Sequence, residues 1–449
     1  MTNDLTKGSP LRLIIGFMIP TCLGNLFQQF YNLADSIIAG RFIGVDALAA
    51  IGSTSSLIFL VIGWLNGITS GFAIIIAQQF GAKRYDRMRH YLAQSIYLCV
   101  AFVVVMTIGL SILNYPILRM MNTPETIIGE TGSYMAVIYA GLVVTAAYNA
   151  LAAVLRALGD GKSPLYFLII SAVLNIIMDI VFIVYFRMGV VGCGYATVIA
   201  QAVSALLCLL YIIKKFDILR LHKPDFEPSA RSMGQLLAIG IPMGLQFSIT
   251  AIGTIIVQGA INVFGSVYIA GFSAGGKIQN MVCTVFVAFG ATIATFVGQN
   301  RGAGRMDRVK EGVKVTQILI LIWSALMMFA IHFFGKYLIM IFVDPAETQV
   351  MEAALTYFRM VSWCYPFLGS IFLYRNALQG LGYGLVPMLG GVFELLARAG
   401  VVMVISGIAG YAGVCFSDPA AWMAALIPIV PYYFYKMKKA DSILRESRL

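Results

Sequence analysis

Charged residues are scarce in this chain. Only 11% of its 449 residues are Asp, Glu, Lys or Arg, whereas 60% are hydrophobic. So little charge excludes a protein whose surface lies mostly in water. Histidine is rarer still, and the three that occur, His90, His222 and His332, are far apart in sequence. The seven cysteines include no Cys-x-x-Cys pair, so we expect no zinc or redox cofactor. The isolated histidines leave no nucleophile–base pair, so we expect no enzyme.

Long hydrophobic runs are what the chain has in abundance. Each is about 20 residues or longer, the length that an α-helix needs to cross roughly 30 Å of hydrocarbon. Helices are expected because a spanning segment must satisfy its own backbone hydrogen bonds. The twelve predicted spans are 13–38, 46–72, 92–113, 133–154, 164–186, 190–213, 233–260, 267–296, 313–334, 354–378, 385–407 and 411–435. The sequence therefore predicts an all-α polytopic membrane protein with twelve transmembrane helices.

The second half of the chain repeats the first. Gln78, Gly81, Ala82, Arg84, Asp86 and Arg87 recur in order as Gln299, Gly302, Ala303, Arg305, Asp307 and Arg308. Because each repeat holds an even number of predicted helices, six, the repeats are parallel and related by an axis along the membrane normal. The predicted domains are an N-lobe at 1–213, a cytoplasmic linker at 214–232 and a C-lobe at 233–449. Such an organisation is typical of transporters whose repeats move against each other.

Basic residues are concentrated in alternate connections between the predicted helices. Examples are Lys83–Arg89, the linker 214–232 and the tail 436–448. By the positive-inside rule these connections and both termini face the cytoplasm, which predicts a multi-pass protein of the cell membrane. Anionic lipid headgroups are then the expected partners of a chain with a net charge of +11, and nucleic acid is not.

Two acidic residues within the predicted spans have no basic neighbour on their own helix. Asp35 lies in the first span and Asp179 in the fifth. At 1.5 Å per residue, Thr197 of the sixth span lies at a height similar to that of Asp179, and Asn175 is one turn from Asp179 on the same face. A charge in hydrocarbon is costly, so these residues are functional candidates. The predicted site comprises Asp35, Asn175, Asp179 and Thr197.

Three interpretations of this site are open. Two carboxylates, an amide oxygen and a hydroxyl can hold a hard cation such as Na⁺. Two desolvated carboxylates can equally share a proton, because burial and like charge favour the protonated acid. The third interpretation is that the two aspartates are unrelated and pair with distant basic residues. In the second repeat Val257, Arg398 and Val402 stand at the positions of Asp35, Asn175 and Asp179, which favours a function confined to the first half.

Further charges lie within the predicted spans of the second half. Glu394 and Arg398 are four residues apart, in the order that favours an ion pair within one helix. Arg375 is close enough to a cytoplasmic helix end for its side chain to extend to the interface. Lys277 suits either helix packing or a counter-charge, and the sequence does not decide between these roles.

Several segments, in their order and spacing, resemble the MATE (multidrug and toxic compound extrusion) family. They are Asn-Leu-Ala-Asp-Ser-Ile-Ile-Ala-Gly at 32–40, Gln-Gln-Phe-Gly-Ala-Lys-Arg-Tyr-Asp at 78–86, Arg-Ala-Leu-Gly-Asp-Gly at 156–161 and Asn-Ile-Ile-Met-Asp at 175–179. The similarity covers essentially the whole chain and is greatest to the DinF/MepA-like bacterial branch. It implies a V-shaped pair of six-helix lobes that exports organic cations or drugs in exchange for Na⁺ or H⁺. It also implies a coupling cation at Asp35, Asn175, Asp179 and Thr197, and a bending proline in the first helix at Pro20.

The second lobe departs from NorM-like members of that family. Those members have acidic residues in the seventh and tenth helices, whereas here the seventh has Gln246 and residues 354–378 contain no acid. A carboxylate site is therefore not expected in the C-lobe.

Polar residues in several spans predict a cavity for the substrate. Three of them share one face of the first helix with Asp35. Methionine and aromatic side chains suit varied flat cations, through adaptable packing and cation–π contact, although they are also ordinary packing residues in a membrane. The predicted cavity residues are Gln28, Tyr31, Asn32, Asn149, Gln246 and Gln258.

Other classes of membrane protein are less well matched. A lipid-linked oligosaccharide flippase of the same superfamily usually has a strongly cationic cavity and often two additional helices, and neither is evident. A channel or membrane-embedded enzyme requires a repeated pore loop or a catalytic set, and the sequence has neither. We therefore expect a monomeric cation-coupled exporter, with the flippase as the alternative.

Overall fold

The structure of the protein, a computed structural model, describes residues 4–446, apart from the side chains of residues 32, 36, 45–49, 53, 441 and 443–446. The described residues are almost entirely helical and include no β-strand. The α-helices are α1 (Pro10–Phe42), α2 (Val45–Gly81), α3 (Tyr85–Ile112), α4 (Asn114–Met120), α5 (Ile128–Ala140), α6 (Leu142–Ala157), α7 (Lys162–Ile180), α8 (Val190–Lys215), α9 (Ala230–Asn262), α10 (Ser266–Gly302), α11 (Met306–Ile339), α12 (Thr348–Ser362), α13 (Tyr365–Gly380), α14 (Leu385–Val404), α15 (Ser406–Cys415) and α16 (Ser417–Glu446). A π-helical turn, Val181–Tyr185, continues α7, and 3₁₀ turns at Asp217–Leu219 and Lys223–Phe226 follow α8.

Nine of the described helices are long and apolar enough to cross a membrane, or up to eleven if each of two bent pairs forms one span. The bent pairs are α5 with α6, at 45°, and α15 with α16, at 80°. The predicted all-α polytopic fold is thereby confirmed. The predicted span 354–378 accounts for the difference from twelve, because it is divided between α12, which ends at Ser362, and α13, which begins at Tyr365. Pro366 lies in the first turn of α13, where its missing N–H costs nothing and favours a helix start.

The two repeats have matching backbones. Helices α1 and α9 each contain 33 residues and one internal proline, Pro20 in α1 and Pro242 in α9. Helices α2 and α10 each contain 37 residues. The turn that follows places Lys83 in the first repeat at φ 57° and Gly304 in the second at φ 71°. The duplication therefore extends from the sequence to the left-handed residue of the turn.

The chain forms two compact units. The first unit comprises Met1–Asp4 and Leu23–Gly244, and the second comprises Leu5–Cys22 and Leu245–Leu449. Each unit thus includes part of a helix that belongs, in sequence, to the other repeat. The division into lobes at 1–213 and 233–449 remains a prediction. The two units are defined by packing, and their boundaries differ from the boundary between the repeats.

Glycines bring two helices of the first unit close together. A Cβ at Gly67 of α2 would lie 2.6 Å from the carbonyl oxygen of Met243 in α9, and one at Gly71 would lie 2.6 Å from the Cα of Gly240. Gly67 and Gly71 are one helical turn apart, so they present one smooth face. Without side chains at these positions, two backbones approach closely and pack by direct contact, which is how helices associate in lipid.

In the second unit, the segment that precedes α1 is held by α10 and α11. Leu5 is buried, and its N–H donates to Oε1 of Gln299 at 2.9 Å. The Leu5 carbonyl accepts hydrogen bonds from Nδ2 of Asn300 and Nη2 of Arg308, both at 3.2 Å. Arg308 also donates from Nη1 to the carbonyl of Gly8 at 2.9 Å. Two members of the repeated motif, Gln299 and Arg308, therefore anchor the N-terminal segment.

Candidate cation-binding and substrate sites

The residues of the predicted cation site come from three helices of the first unit. Asp35 lies on α1, Asn175 and Asp179 lie one turn apart on α7, and Thr197 lies on α8. Asn175 and Asp179 are fully buried, whereas Asp35 and Thr197 are half-buried. The packing of α7 on α8 brings the sequence-distant Thr197 to the same region.

The two carboxyl groups of the site lie within direct electrostatic range of each other. The hydroxyl of Tyr31 lies near that of Thr197 and within range of both carboxyl groups. Tyr134, on α5, lies within electrostatic range of both as well. The structure thus gathers Asp35, Asp179 and Thr197 together with Tyr31, which the sequence had placed in the substrate cavity. Asn175 joins them through its position one turn from Asp179.

Six polar atoms of this cluster are buried without a hydrogen-bond partner among the described residues. Within the described part of the chain, no hydrogen bond reaches Oδ1 of Asp35, either oxygen of Asp179, either side-chain polar atom of Asn175 or the hydroxyl of Tyr31. An unsatisfied buried polar group costs about 1–3 kcal/mol, more when charged, so such a cluster needs an explanation. Oxygen atoms of this kind are the ligands that hard cations prefer, and neighbouring carboxylates also take up protons.

The described residues do not form a site for a transition metal. Among the described residues, no group of three or more His, Cys, Asp or Glu side chains is arranged to hold a metal ion. The cluster around Asp35 and Asp179 is oxygen-rich and has only two carboxylates, which suits a singly charged cation such as Na⁺ or a proton better than zinc or iron.

The predicted substrate residues are divided between the two units. Gln28 and Tyr31 border a small cavity of about 20 Å³ in the first unit, and Asn149 is half-buried on α6. In the second unit, Gln246 accepts a hydrogen bond from Nε2 of Gln379 at 3.0 Å, and Gln258 donates from Nε2 to Oδ1 of Asn262 at 2.9 Å. The side chain of the remaining candidate, Asn32, lies outside the described residues.

A second polar cluster, an ionic network, lies in the second unit. Nη2 of Arg375 lies 3.1 Å from Oε2 of Glu394, and Nη2 of Arg398 lies 3.0 Å from Oε1 of the same carboxylate. Nε of Arg398 donates to Oδ1 of Asp418 at 3.1 Å, and the hydroxyl of Tyr357 donates to Oδ2 of Asp418 at 3.0 Å. Two positive and two negative groups therefore balance each other in this buried network.

Comparison with known proteins gives the family of the chain. The MatE family model matches residues 20–181 and 242–404, which are the two repeats. The chain belongs to the MATE family. Membership identifies it as a multi-pass membrane transporter rather than an enzyme.

The similarity of this MATE transporter to its relatives covers nearly its whole length. YpnP of Bacillus subtilis, described as a probable multidrug resistance protein, is 29% identical and covers 99% of each chain. The multidrug export protein MepA of Staphylococcus saprophyticus is 21% identical over 92% of this chain and 90% of its own. A solved structure of an outward-facing multidrug resistance MATE family transporter of the MOP superfamily has a TM-score of 0.91 at 21% identity, covering 97% of this chain and 98% of that one. The last similarity shows a common fold.

Two features of the ionic network in this MATE transporter escaped the sequence analysis. The prediction that Arg375 extends to the membrane interface was wrong, because its side chain is buried against Glu394. Asp418 was overlooked, although a carboxylate inside the predicted span 411–435 was a visible signal. The absence of acids from 354–378 thus gave an incomplete view of the second repeat, since its buried carboxylates lie on α14 and α16.

Lys277 also has a defined neighbour. Its Nζ lies over the ring of Phe342, 5.4 Å from the ring centre. A cation–π contact of this kind favours a packing role on α10.

Proposed function

We propose that this MATE transporter exports small organic cations, including drugs, from the cytoplasm in exchange for Na⁺ or H⁺. It would work as a monomer in the cell membrane, with both termini in the cytoplasm, and would need no cofactor besides the coupling ion. The observation that carries the proposal is the group of buried, unpartnered oxygen atoms on Asp35, Asn175, Asp179 and Tyr31.

The coupling cation is assigned to Asp35, Asn175, Asp179 and Thr197. When the site is empty, two neighbouring carboxylates repel each other in a region poor in water. A Na⁺ ion would be held by the carboxylate, amide and hydroxyl oxygens, and a proton would be shared between the two acids. Either cation neutralises the repulsion and so favours a state in which the helices lie closer together. Transport follows if the two states differ in their affinity for the cation, because only such a difference shifts their populations.

The substrate is assigned to the polar residues that the sequence predicts for a cavity. The cavity candidates are Gln28, Tyr31, Asn32, Asn149, Gln246 and Gln258. The names of the relatives from Bacillus and Staphylococcus, which refer to multidrug resistance and export, support a substrate range of this breadth. Because Tyr31 lies within range of both Asp35 and Asp179, a bound organic cation and the coupling ion would compete for the same negative charge.

Neutral substitutions of the two acids test the proposal. Asp35→Asn and Asp179→Asn should each abolish concentrative export of a fluorescent organic cation into inside-out vesicles driven by a Na⁺ or proton gradient. The amide keeps the size of the side chain but removes the charge that attracts the cation. Imposing each gradient separately identifies the coupling ion.

Glu125→Gln is the matched control, since Glu125 is exposed and its ion pair with Arg119 is long, at 3.9 Å. It should transport at the wild-type rate. Wild-type export by a well-expressed Asp35→Asn, Asp179→Asn double variant would overturn the proposal. Export of a lipid-linked oligosaccharide but not of organic cations would instead support the flippase alternative.

A further inference from the structure

The first unit contains a cavity of about 630 Å³ outside the cation cluster. Residues of α2, α3, α6 and α8 line it, and small residues of α6 such as Ala146, Ala147 and Ala150 leave the space open. The turn after α8 closes one end with Leu219, Arg220 and Leu221. A cavity of this size is within the range of about 300–1,000 Å³ that small-molecule sites have.

The lining of this cavity is suited to an apolar ligand. Its two hydroxyl groups are already used, because Thr69 donates to the carbonyl of Leu65 at 3.0 Å and Ser95 donates to that of Leu92 at 2.7 Å. Its lining includes no carboxylate that would attract an organic cation. Apart from the Cys99 thiol and Arg220, the lining therefore offers only hydrocarbon to a ligand.

The rim of the cavity faces outward from the unit. Val100 on α3 and Val143 on α6 are each 55% exposed, and Ile213 on α8 is 64% exposed. Side chains of this kind on spanning helices contact lipid, so the cavity opens towards the hydrocarbon of the bilayer.

A positive charge marks one end of the cavity. Arg220 is exposed and has no ion-pair partner among the residues that the structure describes. Lys214 and Lys215, both exposed, end α8 beside the lining residues Ile213 and Phe216. Basic residues next to the end of a spanning helix attract anionic lipid headgroups. The site thus combines an apolar groove with a positive charge at one end.

At the equivalent position of the second repeat, two helices pack directly on each other. Counting from the repeated Arg87 and Arg308, Cys99 corresponds to Ile320, and counting from Pro164 and Pro387, Ala146 corresponds to Gly369. Ile320 packs so tightly on Gly369 that a Cβ there would lie 2.3 Å from Cγ2 of Ile320. In the first repeat, by contrast, both equivalents line the cavity. The groove stays open in the first repeat because Cys99, a smaller side chain, stands where the second repeat has Ile320.

We propose that this cavity binds an acyl chain of an anionic phospholipid whose headgroup phosphate pairs with Arg220. The chain fills the apolar groove between α3 and α8, and the phosphate lies at the turn after α8. Such a lipid would be a bound component of the transporter and not its cargo.

Photo-crosslinking tests the position of the chain. The full-length protein is reconstituted with phosphatidylglycerol that carries a diazirine in one acyl chain, and cross-links are mapped by mass spectrometry. We expect cross-links at rim residues such as Val100 and Val143. Ala147→Phe fills the groove and should lower them about tenfold, because displacing even two methylene groups has that effect on affinity. Ala101→Phe is the control, since Ala101 is exposed on α3 outside the cavity and should leave cross-linking unchanged.

Native mass spectrometry tests the headgroup. Wild-type protein should retain phosphatidylglycerol in preference to phosphatidylcholine with the same chains, and Arg220→Gln should remove that preference. Arg231→Gln, at an exposed basic residue outside the cavity, should keep it. Equal cross-linking of wild type and Ala147→Phe would overturn the proposal, as would displacement of the lipid by soluble glycerol phosphate. Occupation of the groove by a hydrophobic drug, with no lipid bound, would also overturn it.

Discussion

At the scale of single residues, the second unit shows how four ionisable side chains are accommodated in a membrane protein. Arg375, Glu394, Arg398 and Asp418 form alternating contacts in which each carboxylate lies against an arginine. Taking ions out of water is costly, and only such pairing offsets the cost. Gly253 adds room for this arrangement, because a Cβ there would lie 2.9 Å from Nη1 of Arg398.

Removing one member of the network should be costly. Glu394→Gln leaves Arg375 without a negative partner and should lower the free energy of unfolding by about 3–5 kcal/mol, measured by thermal unfolding in detergent. Glu352→Gln, at an exposed glutamate on α12, is the control and should have almost no effect. Pairing Glu394→Gln with Arg375→Met removes the orphaned charge and should recover part of the loss. Unfolding temperatures that are the same for Glu394→Gln and wild type would contradict this account.

At the scale of helices, the internal prolines of α1 and α9 are equivalent in sequence but not in neighbourhood. Pro20 is on the helix that also carries Asp35, whereas Pro242 lies between Gly240 and Gly244, where α9 packs closely on α2. A proline within a helix removes one backbone hydrogen bond and leaves a point at which the helix bends. We therefore propose that Pro20 is a hinge that responds to the proposed cation site and that Pro242 is a packing kink.

Substitution of both prolines distinguishes these roles. Pro20→Ala restores the missing N–H, favours a straight α1 and should lower the export rate about tenfold, the effect of a shift of about 1.4 kcal/mol between two states. Pro242→Ala should have a smaller effect on export. Both variants are compared in vesicles at matched amounts of folded protein. If the two reduce export equally, the hinge assignment is wrong and both prolines serve packing.

At the scale of the whole molecule, the chain ties its first residues to the packing of its second repeat. Leu5 and Gly8 are bound by Arg308, and Leu5 belongs to the hydrophobic core of the second unit. The repeat supplies a natural comparison, because Arg87 is the counterpart of Arg308 but is exposed. One sequence motif therefore has different structural consequences in the two halves.

This difference is measurable. Arg308→Gln removes charge-assisted hydrogen bonds to Leu5 and Gly8, each contributing about 1.5–3 kcal/mol, and should lower the unfolding temperature and expose the N-terminus to protease. The equivalent variant, Arg87→Gln, should change neither property. Identical stability of the two variants would show that the anchor contributes little.

The sequence by itself determined the class of the protein and singled out the residues of the proposed cation site. Hydrophobic runs of about 20 residues with few charges specify helices locally, because backbone groups in hydrocarbon must be satisfied within each segment. The cost of a buried charge singled out Asp35 and Asp179 for the same reason, without knowledge of their neighbours. The duplication can also be recognised from the sequence alone, because the repeated residues recur at constant spacing.

Only the tertiary structure decided which distant groups meet. Nothing local in the sequence indicates that Arg375 lies against Glu394, that Asp418 completes the ionic network, or that α1 and α9 are each divided between units. The open groove beside α3 is likewise a property of packing. Cys99 and Ala146 line it in the first repeat, whereas the equivalent residues of the second repeat, Ile320 and Gly369, pack against each other. Such contacts follow from how closely backbones approach, and that distance is set by all the helices together.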